Sequence, residues 1–289
     1  MQRNYHILPL SFNDDDFYQL TYTLKRFLEY AFTLVKKQNI NFCYIGTALH
    51  DQVTADGFFT AFAFSYFSNL NILINSSKLT LTTKPNMDEV ENKLRKQDII
   101  FIGGGDTEFM LKTWKETGFE DVLIKLKNEG CLPVIMGLSA GGSFPFQAAI
   151  SLTANNQEYK VLQGYHWLNG SFTPHSTCKI EADCTFDKEK KHDRMSAFTT
   201  AITKGIMPPG YAVTEDCMLH FCNGEFVGAF SARKNAECSY VAPDGVKQIT
   251  PTLLEPKTSS RIAGQKLAEL KDIPEEEQKP IEANMCKIM

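Results

Sequence analysis

Ser139 stands in the middle of Gly137-Leu138-Ser139-Ala140-Gly141, directly behind the apolar run Pro133-Val134-Ile135-Met136. This G-x-S-x-G form suits a serine held on a sharp strand-to-helix turn. Small neighbours permit the backbone, and the Oγ projects from the carboxyl end of a sheet. A glycine-rich turn without chemistry is the competing reading. A helix starting behind Ser139 would aim its amides and positive end at a developing oxyanion. A second glycine loop, Gly103-Gly104-Gly105-Asp106-Thr107, follows Asp98-Ile99-Ile100-Phe101-Ile102. It lacks both the Lys-Ser/Thr of a P-loop and the G-x-G-x-x-G spacing. It is therefore a bare turn, or a loop bringing a backbone N–H towards Ser139. An oxyanion hole needs two such donors, here the Ala140 amide and one from a neighbouring loop. His175, behind Pro174, is the candidate general base, weighed against a merely structural or solvated histidine.

The elements that would position these residues follow from periodicity. Residues 17–37 and 57–69 carry helical spacing, as does MDEVENKLRKQ, with Asp88 and Glu89 in its first turn. NINFCYIGT, NLNILI, DIIFI and PVIM read as strands, with helical pieces at 107–117 and 120–129 between the last two. Strands alternating with helices predict an α/β domain whose mostly parallel sheet is covered by helices on both faces. Residues 176–193 are polar and predict an exposed loop or insertion. From 210 to 242, short β-like pieces around Asn223-Gly224 predict added antiparallel edge strands. One domain is expected over residues 1–250. Residues 251–289 are expected to be a C-terminal extension, peripheral or partly disordered, with one amphipathic stretch, SSRIAGQKLAELK.

Composition narrows the function classes. The chain has 289 residues, 43% of them hydrophobic, with 30 Lys plus Arg against 34 Asp plus Glu. A net charge of −4 without a basic run argues against a nucleic-acid partner. There is no spanning apolar stretch and no secretory signal pattern, so a cytoplasmic location is expected. The eight cysteines form no C-x-x-C pair, so neither a zinc site nor a disulfide framework is expected. Cys178 and Cys184, near His175 and His192, are read as free thiols rather than metal ligands.

Three ordered segments, DIIFIGGGDT, VIMGLSAGG and LNGSFTPH with an arginine downstream, resemble peptidase E and its cyanophycinase relatives. The likeness continues through PPGYAVTEDCMLHFCNGEFVG and covers residues 95–242 well, the first 94 only by element order, and the tail not at all. The resemblance implies a serine peptidase on a class I glutamine-amidotransferase-like fold, acting on small peptides. Ser139 would be the nucleophile, His175 the base, and the Gly105 and Ala140 amides the oxyanion hole. Arg194 would meet the carboxylate of a substrate's N-terminal aspartate. A guanidinium suits that task because its fork of donors engages both oxygens. Asp106 and Thr107 join Arg194 as substrate-binding candidates. No cofactor and no metal is called for.

The sequence departs from the family pattern in four places. The window 13–15 residues beyond Ser139, where family members carry an acid, holds Leu152, Thr153 and Ala154. The expected partner of His175 is therefore Glu158, with Asn155 or Asn156 as the neutral substitute. Asp106 replaces an Asn, Gly142 replaces an Ala, and residues 176–193 lengthen the spacing to Arg194. An inactive binding or regulatory protein and an amidase or esterase are the competing functions. A cysteine-dependent glutaminase is disfavoured because the turn carries Ser. Separately, Cys286-Lys287-Ile288-Met289 fits a C-a-a-X box. Prenylated Cys286 would give weak, reversible membrane contact and no insertion. The oligomeric state stays open.

Overall fold

The computed structural model describes residues 4–12, 17–52, 72–153 and 157–255, without the side chains of 17–21. The expected helix at 57–69, the Asn155-Asn156 pair, the amphipathic stretch and Cys286 lie outside the described residues. In chain order the elements are β1 (His6–Ser11), α1 (Phe17–Val35), β2 (Asn39–Ile45), β3 (Leu73–Leu79), α2 (Met87–Leu94), β4 (Ile99–Ile102), α3 (Thr107–Thr117), α4 (Phe119–Asn128), β5 (Val134–Leu138) and α5 (Ala140–Ser143). There follow β6 (Phe146–Leu152), β7 (Glu158–Gln163), β8 (Leu168–Thr173), β9 (Ala182–Cys184), β10 (Asp187–His192), α6 (Arg194–Thr203), β11 (Gly210–Val213), β12 (Cys217–Cys222), β13 (Glu225–Ser231), β14 (Cys238–Ala242), β15 (Gly245–Ile249) and β16 (Thr252–Leu253).

The expected mixed α/β architecture is present, with two sheets among the described residues where one was expected. The first runs β16-β13-β12-β1-β5-β4-β2-β3, and the second β10-β9-β7-β6-β8-β11-β14-β15. In the first, β1, β5, β4, β2 and β3 are mutually parallel. Of the four pieces expected as antiparallel additions, β12 and β13 join this sheet, whereas β11 and β14 belong to the second, where β11 runs parallel to β8. β4 and β5 are near-continuous apolar runs because both their faces are covered. Ile99, Phe101, Val134 and Met136 pack towards Phe27, Leu28 and Phe32 of α1. Ile100, Ile102 and Ile135 pack towards Trp114, Phe119 and Leu123 of α3 and α4. β3 extends beyond the apolar reading through Asn75, Ser76, Ser77 and Lys78, since an edge strand needs no second apolar face.

The second sheet faces the first on one side and α6 on the other. Phe146, at the start of β6, stacks on Phe172 of β8 with ring centres 5.0 Å apart. Phe146 also meets Phe221 of β12 edge-on at 5.5 Å, which joins the sheets. Ala197, Phe198, Ala201 and Ile202 of α6 seal the outer face of the second sheet against Ile150, Tyr159 and Val241. The stretch 176–193 is more than a loop, because it contains the hairpin β9–β10 at that sheet's edge. No helix among the described residues is long and apolar enough to cross a membrane.

Phe146 is wholly buried between the sheets. Phe146→Ala should therefore cost about 3–5 kcal/mol of unfolding free energy in a urea titration. A loss within about 0.5 kcal/mol, the range of substitutions that touch no such feature, would show that the sheets do not depend on this contact.

Candidate active site

β5 delivers Ser139 into a backbone few side chains tolerate, with φ 50° and ψ −106°. Such a conformation costs of the order of 1–3 kcal/mol and persists only when its surroundings over-determine it. Here they do. A Cβ on Gly137 would lie 2.0 Å from the Gly141 carbonyl oxygen, and one on Gly141 would lie 2.3 Å from that of Ile102. Both flanking glycines of G-x-S-x-G are thus demanded by close backbone approach. The Ser139 N–H donates to the Leu10 carbonyl of β1 at 3.1 Å, and the Ser143 hydroxyl donates to the Ser139 carbonyl at 2.9 Å. The helix behind Ser139, α5, has only four residues. The expected dipole contribution therefore reduces to local amides.

The loop after β4 lies against this turn. A Cβ on Gly104 would come within 3.1 Å of Ser139 Cβ, and Gly105 holds a φ of 129° that favours glycine. Among the described residues neither the Gly105 nor the Ala140 N–H has an acceptor. Both residues line a cavity of about 50 Å³ together with Ser139, Thr107, His175 and Arg194. Two free donors therefore border the hollow that the serine borders.

His175 follows β8 and Pro174 with φ 53°. Its Nδ1 is 2.7 Å from Glu215 Oε1. A carboxylate only accepts, so Nδ1 carries the hydrogen and Nε2 the lone pair. That Nε2 is buried and has no hydrogen-bond partner, the Ser139 hydroxyl included. Ser11, fully buried at the end of β1, completes the cluster. Its hydroxyl donates to Glu215 Oε2 at 3.0 Å and accepts the His175 backbone N–H at 3.1 Å. Burial alone would raise the Glu215 pKa. The hydrogen bond and charge of His175, the Ser11 hydrogen bond and the charge of Arg194 outweigh it, and the net shift is downward.

The third member of this arrangement is thus Glu215, and Glu158 is not on the imidazole. Glu158 opens β7 of the second sheet, opposite Asp183 of β9. Its backbone N–H takes Thr153 Oγ1 at 3.2 Å. It borders a neighbouring cleft of about 640 Å³ that shares Ser151 and Leu152 with the serine's cavity. Asp106 lies on that cleft too, and its Oδ1 caps α3 by accepting the Phe109 N–H at 2.9 Å. Its carboxylate therefore serves the helix start rather than lining the serine's cavity. Thr107 does line that cavity, and its Oγ1 accepts from Ser151 Oγ at 3.4 Å.

Arg194, the first residue of α6, borders the same cavity. Its guanidinium lies over the Tyr159 ring at 5.7 Å, and its Nε is buried without a partner. No carboxylate among the described residues forms an ion pair with it. Sequence reasoning missed Glu215 and Ser11. Glu215 had a usable signal: GYAV-Thr214-Glu215 is a strand running into an acid, as SFT-Pro174-His175 is a strand running into the base. β8 and β11 are parallel neighbours, with Ala212 opposite Thr173.

The sequence model of peptidase family S51 matches residues 17–228. The uncharacterized peptidase YgaJ of Bacillus subtilis (strain 168) is 29% identical over 210 residues, which span 72% of this chain and 81% of that protein. The crystal structure of a peptidase from an acI-B1 Actinobacterium shares the fold at a TM-score of 0.58 and 14% identity, covering 87% of this chain and 95% of that one. A peptidase E-type protein from Listeria monocytogenes EGD-e matches at a TM-score of 0.50 and 18% identity, over 80% of this chain and 99% of its own.

Glu215 supplies a pH signature independent of turnover. Its folded-state pKa lies below its ordinary value of 4.5, so its stabilising contribution is present above that pH. The contribution disappears as pH falls through the lowered pKa. Glu215→Gln should melt below the wild type at pH 7, and the gap should narrow below about pH 4.5. A gap independent of pH would mean that the carboxylate's charge does not hold the cluster.

Proposed function

Because the chain belongs to peptidase family S51, and is thus a hydrolase of the serine-peptidase kind, we propose that it cleaves small peptides with Ser139 as nucleophile and His175 as base. In this reading Glu215 orients and charges the imidazole. The observation that carries it is the imidazole itself, with Nδ1 on a carboxylate and Nε2 buried and unpartnered beside the serine's cavity.

The chemistry follows from that polarity. As substrate fills the cavity, Nε2 takes the Ser139 proton while Oγ attacks the scissile carbonyl carbon. Catalytic hydrogen bonds of this kind are commonly long before substrate tightens them. The carbonyl oxygen becomes an oxyanion, met by the Gly105 and Ala140 N–H groups. Glu215 stabilises the imidazolium without taking its proton. The imidazolium then gives that proton to the departing amine, leaving an acyl-enzyme on Ser139. Water, deprotonated by the same Nε2, attacks the acyl carbon through a second oxyanion, and the proton returns to Ser139 Oγ as the acid leaves. A carboxylate on Nδ1 also removes the motive for reading the chain as an inactive binding protein.

Arg194 supports a substrate with a carboxylate, for instance an N-terminal aspartate. An unpaired guanidinium bordering the serine's cavity is a cation awaiting a partner, and a charge-assisted contact is worth about 1.5–3 kcal/mol. The wider cleft beside the cavity gives room to the leaving part of the peptide.

A fluorophosphonate probe should label the wild type and spare Ser139→Ala. A folded wild type that resists the probe would sink the serine mechanism, and ester turnover without peptide turnover would favour an esterase. Glu215→Gln should lower kcat by about 10²–10⁴-fold, near the cost of a lost triad carboxylate, while Glu158→Gln stays near wild type. The reverse pattern would return the role to Glu158. Arg194→Ala should reduce kcat/KM for aspartyl peptides by about 10–100-fold more than for neutral ones. Equal losses would remove Arg194 from substrate recognition.

A further inference from the structure

The hairpin β9–β10 and α6 share a second chain of buried polar groups, outside the cavity of Ser139. His192, the last residue of β10, is 1% exposed. Its Nε2 is 3.0 Å from Asp187 Oδ2, at the other end of the same strand, and its Nδ1 is 2.8 Å from Ser196 Oγ in the first turn of α6. The carboxylate accepts, so Nε2 carries the hydrogen, and the Ser196 hydroxyl donates to the lone pair on Nδ1. The polarity is that of Asp–His–Ser, yet the Ser196 N–H is already given to Asp193 Oδ1 at 2.9 Å. With His192 almost wholly buried, no substrate reaches the imidazole, so the chain does something other than catalyse.

Its connections say what. Asp193, the N-cap of α6, lies between His192 and Arg194. Asp187 Oδ1 takes Lys204 Nζ at 3.4 Å, at the other end of α6. The hairpin is thus tied to the helix at both termini. The Arg194 backbone N–H donates to the Cys178 carbonyl at 3.4 Å, but its side chain makes no hydrogen bond or ion pair among the described residues, and the Tyr159 ring lies under it. The position of its guanidinium is inherited from the first turn of α6. The first turn of α6 is held by Asp193, which also takes Lys179 Nζ at 3.1 Å, by the Arg194 N–H on the Cys178 carbonyl, and by the Ser196–His192 bond.

We propose that Asp187, His192 and Ser196 form a positioning relay that fixes the first turn of α6 and thereby aims Arg194 at the substrate's carboxylate. The lengthened stretch between His175 and Arg194 is then a specificity element. The relay rests on the reading of Arg194 given above, and it adds three positioning residues that touch no substrate.

The test is steady-state kinetics on aspartyl and asparaginyl p-nitroanilides, which differ in charge at nearly constant shape. Ser196→Ala should raise KM for the aspartyl substrate about tenfold, one hydrogen bond's worth, with kcat within about twofold and the asparaginyl kcat/KM unchanged. Ser196→Thr, which keeps the hydroxyl, should restore the wild-type ratio. Asp187→Asn should shift the ratio in the same direction and stands in if Ser196→Ala fails to fold by circular dichroism. Equal effects on both substrates, or a fall in kcat alone, would make the chain a merely structural contact and overturn the relay. If Arg194→Ala discriminates between the substrates and Ser196→Ala does not, the relay alone is wrong. If Arg194→Ala does not discriminate, or the wild type turns over neither substrate, the reading of Arg194 falls and the relay with it.

Discussion

At the carboxyl end of β1 two consecutive residues hold the halves of the site together. The Leu10 carbonyl accepts the Ser139 N–H, which fixes the strained turn to the neighbouring strand of the first sheet. One residue on, the Ser11 hydroxyl is shared between Glu215 Oε2 and the His175 amide. His175 ends β8 of the second sheet, and Glu215 lies on the crossing from β11 in the second sheet to β12 in the first. Ser11 is therefore where the sheet that carries Ser139 and the sheet that carries His175 share a hydrogen bond. Because Ser11 is fully buried, no water stands ready to replace it. Each partner left bare would cost about 1–3 kcal/mol.

That junction is built from strained parts. Ser139, His175 and Asp216 have φ of 50°, 53° and 61°, and all three lie just past strand ends or between them. Such residues need rigid support, and the core beneath them provides it. Phe144 directly follows the short helix behind Ser139 and packs edge-on against Trp114 at 5.1 Å. Phe146 and Phe172 stack in the layer between the sheets, so β6 and β8 are located by aromatic contacts before any polar group is placed. Core packing is bistable rather than continuously deformable. The strand ends therefore inherit fixed positions.

Legibility followed the range of the interactions. The two strand-to-glycine turns were readable because a strand buried on both faces is an unbroken apolar run and its sharp exit needs glycine. Ser139 and the loop of Gly105 could thus be placed from local sequence, and the structure brings them together. The acid was not local. Glu215 is 40 residues beyond His175, and its place is set by the parallel pairing of β8 with β11, which no short spacing encodes. The hairpin at 182–192 was equally hidden. Its outward side chains are Lys and Glu, and the buried Asp187 and His192 at its ends look in sequence like more of the same polar stretch. An edge hairpin with polar ends anchored by side-chain hydrogen bonds has the composition of a loop.

Charge joins recognition to chemistry at this site. Arg194 contributes to the lowered pKa of Glu215, so the guanidinium that would receive a substrate carboxylate already acts on the carboxylate behind the base. In the reading proposed above, a substrate carboxylate held on Arg194 would compensate the guanidinium and leave Glu215 as the dominant charge facing the imidazole. A neutral substrate occupying the same space would leave the guanidinium charge unanswered.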